Sequence, residues 1–183
     1  MNIYYAQDNK GLTLIELMIV MVLSLVLMAA VYMAYQAQHK TSSEQQQVSA
    51  VQQDLRAVMN IMAKDIRNTG CDPLNKNSFG IQDATLSSNS LDITYDLSKN
   101  GTTDAKQSAY TLAGNQIQRN GTTLVNNVTT LEFVYIDADD AEITDTTAIA
   151  DVRSIQVQVS IQSPDKTFTR TLTRRIKCRN LGL

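Results

Sequence analysis

Tryptophan is absent from this chain of 183 residues, and histidine occurs once, as His39. Catalytic and metal centres that depend on imidazole therefore have almost no raw material. Only two cysteines occur, Cys71 and Cys178, far apart and in no zinc-binding or CxxC spacing. Glycine and proline are missing from the whole stretch between Leu12 and Thr69, so nothing in it breaks or loosens a helix. An excess of charge of either sign is lacking, with a net of −2, which gives no global pull toward nucleic acid or an anionic membrane surface. No Ser-His-Asp set, glycosidase-like carboxylate pair or phosphate loop stands out. An enzyme is not expected, and neither is a cofactor.

What is present is unevenly placed. Leu17 to Tyr35 reads LMIVMVLSLVLMAAVYMAY without a charge, about 19 residues against the ~20 that a spanning helix needs. Ser24 can bond back to a carbonyl one turn earlier and so is no obstacle. A secretory signal would place a small-residue cleavage site after the apolar run. The candidates near Ala29-Ala30 and Ala34 still sit among large apolar residues, with no turn-forming break behind them. The opposite order, cleavage before the run, fits better. Gly11 offers a protease bare backbone, and Lys10 favours the cytoplasmic side for what precedes it.

One carboxylate stands at the head of this run. Thr13-Leu14-Ile15-Glu16 has the S/T-x-x-E form of a capping box. Thr13 caps the first amides, and Glu16 answers the positive end of the helix dipole. Thr13 alone would have sufficed as a cap, and a carboxylate at mid-bilayer costs ~2.5–3.5 kcal/mol. A second reading gives Glu16 a partner on another chain. Cleavage at Gly11–Leu12 frees an α-amine, which ordinarily titrates at ~7.7–8.0 and so is largely cationic. Helices stacked with an axial offset can bring that cation to a neighbour's Glu16. The two readings are compatible.

The stretch Lys10-Gly11-Leu12-Thr13-Leu14-Ile15-Glu16-Leu17-Met18 and the apolar run behind it resemble the class III signal of type IV pilins and type II secretion pseudopilins. Gly11, Thr13, Leu14, Ile15 and Glu16 match that pattern; Leu12 stands where phenylalanine is usual. The resemblance implies that a prepilin peptidase cuts Gly11–Leu12 and methylates the Leu12 nitrogen, and that Glu16 guides docking of subunits into a helical filament. It implies a bacterial inner-membrane protein, single-pass, with a periplasmic domain, in contact with other pilin or pseudopilin subunits. Two shorter stretches, Asp65-Ile66-Arg67-Asn68-Thr69-Gly70 and Arg179-Asn180-Leu181-Gly182-Leu183, resemble PilW-type minor pilins. That points to initiating or capping a type IV pilus; a minor pseudopilin of a type II secretion system is the alternative.

Beyond the polar stretch QAQHKTSSEQQQ, the residues Val48, Val51, Leu55, Val58, Met59, Met62 and Ile66 recur at helical spacing. Gln52, Asp54, Arg56, Asn60 and Lys64 occupy the other face. The pattern predicts one helix over Leu12–Asn68, ~85 Å long at about 1.5 Å per residue. Asn68-Thr69-Gly70 ends it, and Pro73 forbids its return. The remainder reads as β: Leu91–Tyr95, then Gln116–Arg119 and Thr122–Val125 around an Asn120-Gly121 turn. Leu131–Ile136 follows, then Ile155–Ile161 and Phe168–Lys177 around Ser163-Pro164-Asp165-Lys166. The fold class expected is α+β, a long helix packed on an antiparallel β domain. Its divisions are a leader over 1–11, a membrane part over 12–35, an amphipathic extension over 36–69 and a periplasmic β domain over 70–183.

Three features of that domain bear on function. In an oxidising compartment Cys71 and Cys178 are candidates for a disulfide, closing a loop of roughly 108 residues worth about 4–5 kcal/mol in the chain-entropy treatment. Asp137, Asp139, Asp140, Glu142 and Asp145 form an acidic loop with oxygen ligands for calcium, although its spacing is not an EF-hand and a solvated loop is the simpler expectation. Arg170, Arg174, Arg175, Lys177 and Arg179 make the last strand basic, with Arg175, Lys177 and Arg179 on one face. That face suits DNA phosphates, as in a DNA-binding uptake pilin. A strand charged against edge pairing is the plainer account, and nucleic acid is not the expected partner.

Overall fold

The computed structural model describes residues 11–74, 79–83, 86–98 and 104–181. Residues 1–10, which belong to the leader expected over 1–11, and the closing Gly182-Leu183 lie outside the described residues. These residues fall into two units, divided between Gln46 and Gln47.

The expected helix is continuous. α1 runs over Leu14–Asn68, 55 residues, as a stretch with neither glycine nor proline should. In the first unit every side chain from Gly11 to Gln46 is exposed, including the large apolar ones from Leu12 to Tyr35. Such a surface is stable only in a non-aqueous surrounding or against other chains, and α1 is long and apolar enough to cross a membrane. Ser24 bonds back to the Met21 carbonyl at 2.8 Å.

In the second unit the same helix is amphipathic. Val51, Leu55, Val58, Met59, Met62 and Ile66 are buried, while Gln52, Asp54, Arg56, Asn60 and Lys64 face solvent. The buried stripe packs on antiparallel strands, which form two sheets. β1 (Ser90–Asp96), β2 (Ala105–Ala113), β3 (Gln116–Arg119) and β4 (Thr122–Val125) make one, in that order. β5 (Val128–Ile136), β6 (Ser154–Gln162) and β7 (Thr169–Lys177) make the other. Ile155, Val157, Val159 and Ile161 of β6 alternate inward and join Leu131 and Phe133 of β5 and the helix stripe in one core.

β2 has no counterpart in the sequence reading. Its residues AKQSAYTLA carry few large apolar groups, and only Ser108 and Tyr110 are buried. The two hairpin turns behave as read. Asn120 and Gly121 have φ of 51° and 77°, both left-handed, as a type I′ turn requires. At the second turn, Lys166 N–H donates to the Ser163 carbonyl at 2.9 Å.

Gly70 ends α1 with φ 76°. Its N–H donates to the Thr94 carbonyl at 3.1 Å, which joins the helix end to β1. A Cβ at Gly70 would stand 2.9 Å from Leu181 Cδ2 and 3.2 Å from the Asn180 carbonyl oxygen. The two short stretches singled out in the sequence, one ending at Gly70 and one opening at Arg179, thus meet in space.

The disulfide expected between Cys71 and Cys178 is not formed; both are free thiols. Cys178 continues the inward-facing series of Ile176 and is buried in the core. Burial pushes its thiol up to about 12. Cys71 is half-buried beyond the helix end, where its carbonyl accepts the Asp96 N–H at 2.8 Å. Packing of Leu181 against Gly70, rather than a covalent bond, ties the C-terminal segment to the helix end.

Candidate functional site

The described part of the first unit opens with Gly11 and Leu12, both exposed and ahead of the helix. Thr13 is the N-cap, since its carbonyl accepts the first helical bond from Leu17 N–H at 3.2 Å. Glu16 N–H donates to Thr13 Oγ1 at 3.3 Å, and Thr13 N–H donates back to Glu16 Oε2 at 3.0 Å. The Thr13 hydroxyl adds a third bond to Glu16 Oε2 at 2.9 Å. The capping box read from the sequence is therefore built in full. All of its members are exposed, so Glu16 remains open to a group from outside the chain.

This geometry places an exposed Gly-Leu bond directly before a capped apolar helix. A family model described as the prokaryotic N-terminal methylation motif matches residues 7–32, covering Gly11, Leu12, Thr13 and Glu16. A second, described as prepilin peptidase-dependent protein B, matches residues 44–178, more than half of the chain. The chain belongs to the prepilin peptidase-dependent protein B family. No curated protein matches the chain. As a member of that family with a methylation motif, it is a pilin-like or pseudopilin-like protein.

The folded unit of this prepilin peptidase-dependent protein holds a cluster that the sequence reading missed. Asp65 lies on the buried face of α1, only 3% exposed. The Tyr110 hydroxyl of β2 donates to its Oδ2 at 2.6 Å, and the Tyr95 hydroxyl of β1 donates to its Oδ1 at 3.1 Å. Arg119 Nη2 of β3 pairs with Oδ2 at 2.7 Å. Arg119 Nε and Nη2 also donate to Ser108 Oγ of β2, at 3.3 and 3.0 Å. One helix carboxylate thus collects donors from three adjacent strands. Burial, then the bond to Asp65, pushes the Tyr110 phenol well above the ordinary tyrosine range; burial and the Asp65 charge raise Tyr95 as well. The cluster is saturated and closed, which suits fixing the sheet on the helix rather than acting on a ligand. Its sequence signal was position. Asp65 falls three residues after Met62, inside the apolar stripe, where an unpartnered acid would be costly.

The acidic loop is not assembled as a calcium cage. Asp137 Oδ1 accepts the N–H groups of Asp139 and Ala141, each at 2.9 Å, and so closes its own turn. Asp140 pairs with Arg175. Asp145 Oδ1 accepts the Thr147 hydroxyl at 2.7 Å and its N–H at 2.9 Å, bonds that hold its carboxyl below the usual range. Glu142 forms a bridge with Ile136 through its backbone. Among the described residues no group of three or more such side chains could hold a metal.

The basic residues of β7 divide. Arg175 and Lys177 line one cleft with Asp137, Asp140 and Arg153. Arg175 is engaged there by Asp140 and donates through Nε to Ser154 Oγ at 2.8 Å. Arg174 lies on the opposite face of the strand and reaches Asn60 Oδ1 of α1 at 3.3 Å. Arg179 is exposed beyond the strand end.

Proposed function

We propose that this chain is a minor pilin-like structural subunit, not an enzyme, that helps initiate or cap a type IV pilus. A prepilin peptidase cuts between Gly11 and Leu12 and methylates the new amine of Leu12. The subunit then waits in the bacterial inner membrane as a single-pass protein with its β domain in the periplasm. In the fibre, Glu16 meets the cationic amine of a neighbouring subunit, and the apolar surface from Leu12 to Tyr35 exchanges lipid for other pilin or pseudopilin helices.

The observation that carries this reading is the exposed, capped helix start. It leaves Gly11–Leu12 and Glu16 exposed, at the head of an apolar stretch, Leu12 to Tyr35, whose side chains are all exposed among the described residues. In hydrocarbon an unpaired charge is costly, so an amine–Glu16 pair would set the axial register of packing. A minor pseudopilin of a type II secretion system uses the same chemistry and is supported by the same motif. A DNA-binding uptake role has less support, because Arg175 is already held by Asp140 and Ser154.

Intact-mass and N-terminal peptide analysis of the protein from membranes tests the reading. The expected mature chain begins at N-methyl-Leu12. A chain that still carries residues before Leu12, in cells with an active prepilin peptidase, would leave a plain membrane anchor.

A further inference from the structure

Among the described residues the two sheets have four lateral edges, and three of them are closed or short. β1 is covered by residues 80–82: Thr94 N–H donates to the Gly80 carbonyl and Gln82 N–H to the Asp92 carbonyl, both at 2.8 Å. β5 is covered likewise, since Phe133 N–H donates to the Ser88 carbonyl at 2.8 Å and Ile143 N–H to the Tyr135 carbonyl at 2.9 Å. β4 has four residues, opposite a register break between Ile117 and Gln118. β7 differs from all three. It is nine residues long and pairs with β6 from Thr169 to Lys177 without a register shift.

The direction of its backbone can be read. Cys178 N–H donates to the Arg153 carbonyl, and Ser163 N–H donates to the Phe168 carbonyl, each at 2.9 Å. Even-numbered residues therefore turn their polar groups toward β6. Thr169, Thr171, Thr173, Arg175 and Lys177 aim N–H and C=O outward. Among the described residues no backbone group of this chain meets them. A long, regular edge of this kind is a template for another strand.

Charge decides which strand. β7 carries Arg170, Arg174, Arg175 and Lys177 and no acidic residue. Among the described residues only Arg175 has an acidic partner, Asp140. A second copy of β7 would set cations against cations across the new ladder, which is destabilising. An acidic strand would be attracted on both faces, by Lys177 on one side and by Arg170 and Arg174 on the other. We propose that the free edge of β7 is a docking strand for an extended, acidic segment of a different protein subunit, which adds to the sheet as its fourth strand. Backbone bonds supply the affinity, and the arginines and lysine exclude self-pairing and choose the partner. This surface is separate from Gly11, Leu12 and Glu16, so its test stands whether or not the helix-assembly reading holds.

The test uses the full chain in detergent micelles and a fluorescent nine-residue peptide alternating Glu with Thr or Val. Anisotropy reads binding, and amide hydrogen exchange locates it. The peptide is expected to bind and to slow exchange at Thr171, Thr173 and Arg175. Methylating every backbone amide of the peptide, or replacing Glu by Lys, should weaken binding about tenfold or more. Thr173→Pro removes one outward N–H and no ladder bond, and should weaken binding to a similar degree with the unfolding midpoint unchanged. Should that variant fail to fold, paired Arg170→Glu and Lys177→Glu replacements should turn the preference toward the Lys peptide. Equal binding of the methylated peptide, no binding up to millimolar peptide, protection elsewhere than β7, or equal competition by a DNA oligonucleotide would each overturn the proposal. So would self-association through β7 in cross-linking.

Discussion

Asp65→Ala is the most informative single change in the folded unit. The side chain is 3% exposed and receives Arg119, Tyr95 and Tyr110. Removing one member of a buried ion pair costs about 3–5 kcal/mol. Arg119 keeps 34% of its side chain in contact with solvent, so water recovers part of its solvation and the low end applies to the pair. Two buried hydroxyls also lose their acceptor, at ~1–3 kcal/mol each, a cost that overlaps the first. A loss of about 3–4 kcal/mol is expected, a large share of the ~5–15 kcal/mol of a typical domain. At an m value of ~1.5–2 kcal/mol/M the urea midpoint falls by roughly 2 M. The assay is urea unfolding of the full chain in detergent, followed by near-UV circular dichroism. Tyrosine reports it well, because tryptophan is absent and Tyr95, Tyr110 and Tyr135 are all buried in this unit. Asp65→Ala combined with Arg119→Ala should lose less than the sum of the single changes, since each alone strands its partner. A single-variant loss below about 1 kcal/mol, or strict additivity, would refute the view that this cluster holds helix and sheet together.

Other outcomes follow from the same structure. Burial raises the Tyr110 and Tyr135 phenols in the folded state above their unfolded value of about 10. Stability from these groups is complete below that pH and is lost as pH rises beyond it. Their phenolate absorbance should appear only together with loss of the near-UV signal; ionisation at the ordinary tyrosine value of about 10 with the fold intact would contradict it. Gly70→Ala should cost about 1–2 kcal/mol from its left-handed backbone alone, and more than Gly114→Ala, because only Gly70 also faces Leu181 and Asn180. Equal midpoints for the two variants in urea would remove the close-approach argument. Iodoacetamide at mildly alkaline pH should label Cys71 first and reach Cys178 only on unfolding, since burial keeps the Cys178 thiol protonated. Peptide mass analysis reads the order, and no label at either site before reduction would show a bridge instead. Glu16→Ala should leave cleavage largely intact and reduce recovery in sheared fibres; undiminished recovery would leave Glu16 as a helix cap alone.

Local patterns carried far in this chain, and the reason is that they need no distant partner. The missing glycine and proline, the capping box at Thr13 and Glu16, the apolar stripe from Val48 to Ile66 and the Asn120-Gly121 turn each depend on neighbours within a few residues. They determined a continuous helix, its start, its buried face and one hairpin; the candidate site at Gly11–Leu12 lies exposed just ahead of that start. Tertiary structure alone decided the rest. β2 has too little apolar surface to announce itself and becomes a strand through pairing with β1 and β3. Asp65 looked like part of a helix end until three strands brought it donors. The cysteine pair invited a bridge that core packing of Cys178 and the Gly70–Leu181 contact replace. The acids of the 137–145 loop share a stretch of sequence, yet their oxygens are taken by turn amides, Thr147 and Arg175, so they do not converge. The last strand was legible as basic. That it is also the long open edge follows only from the order of strands, which no local pattern encodes, because which edges are covered depends on segments distant in the chain.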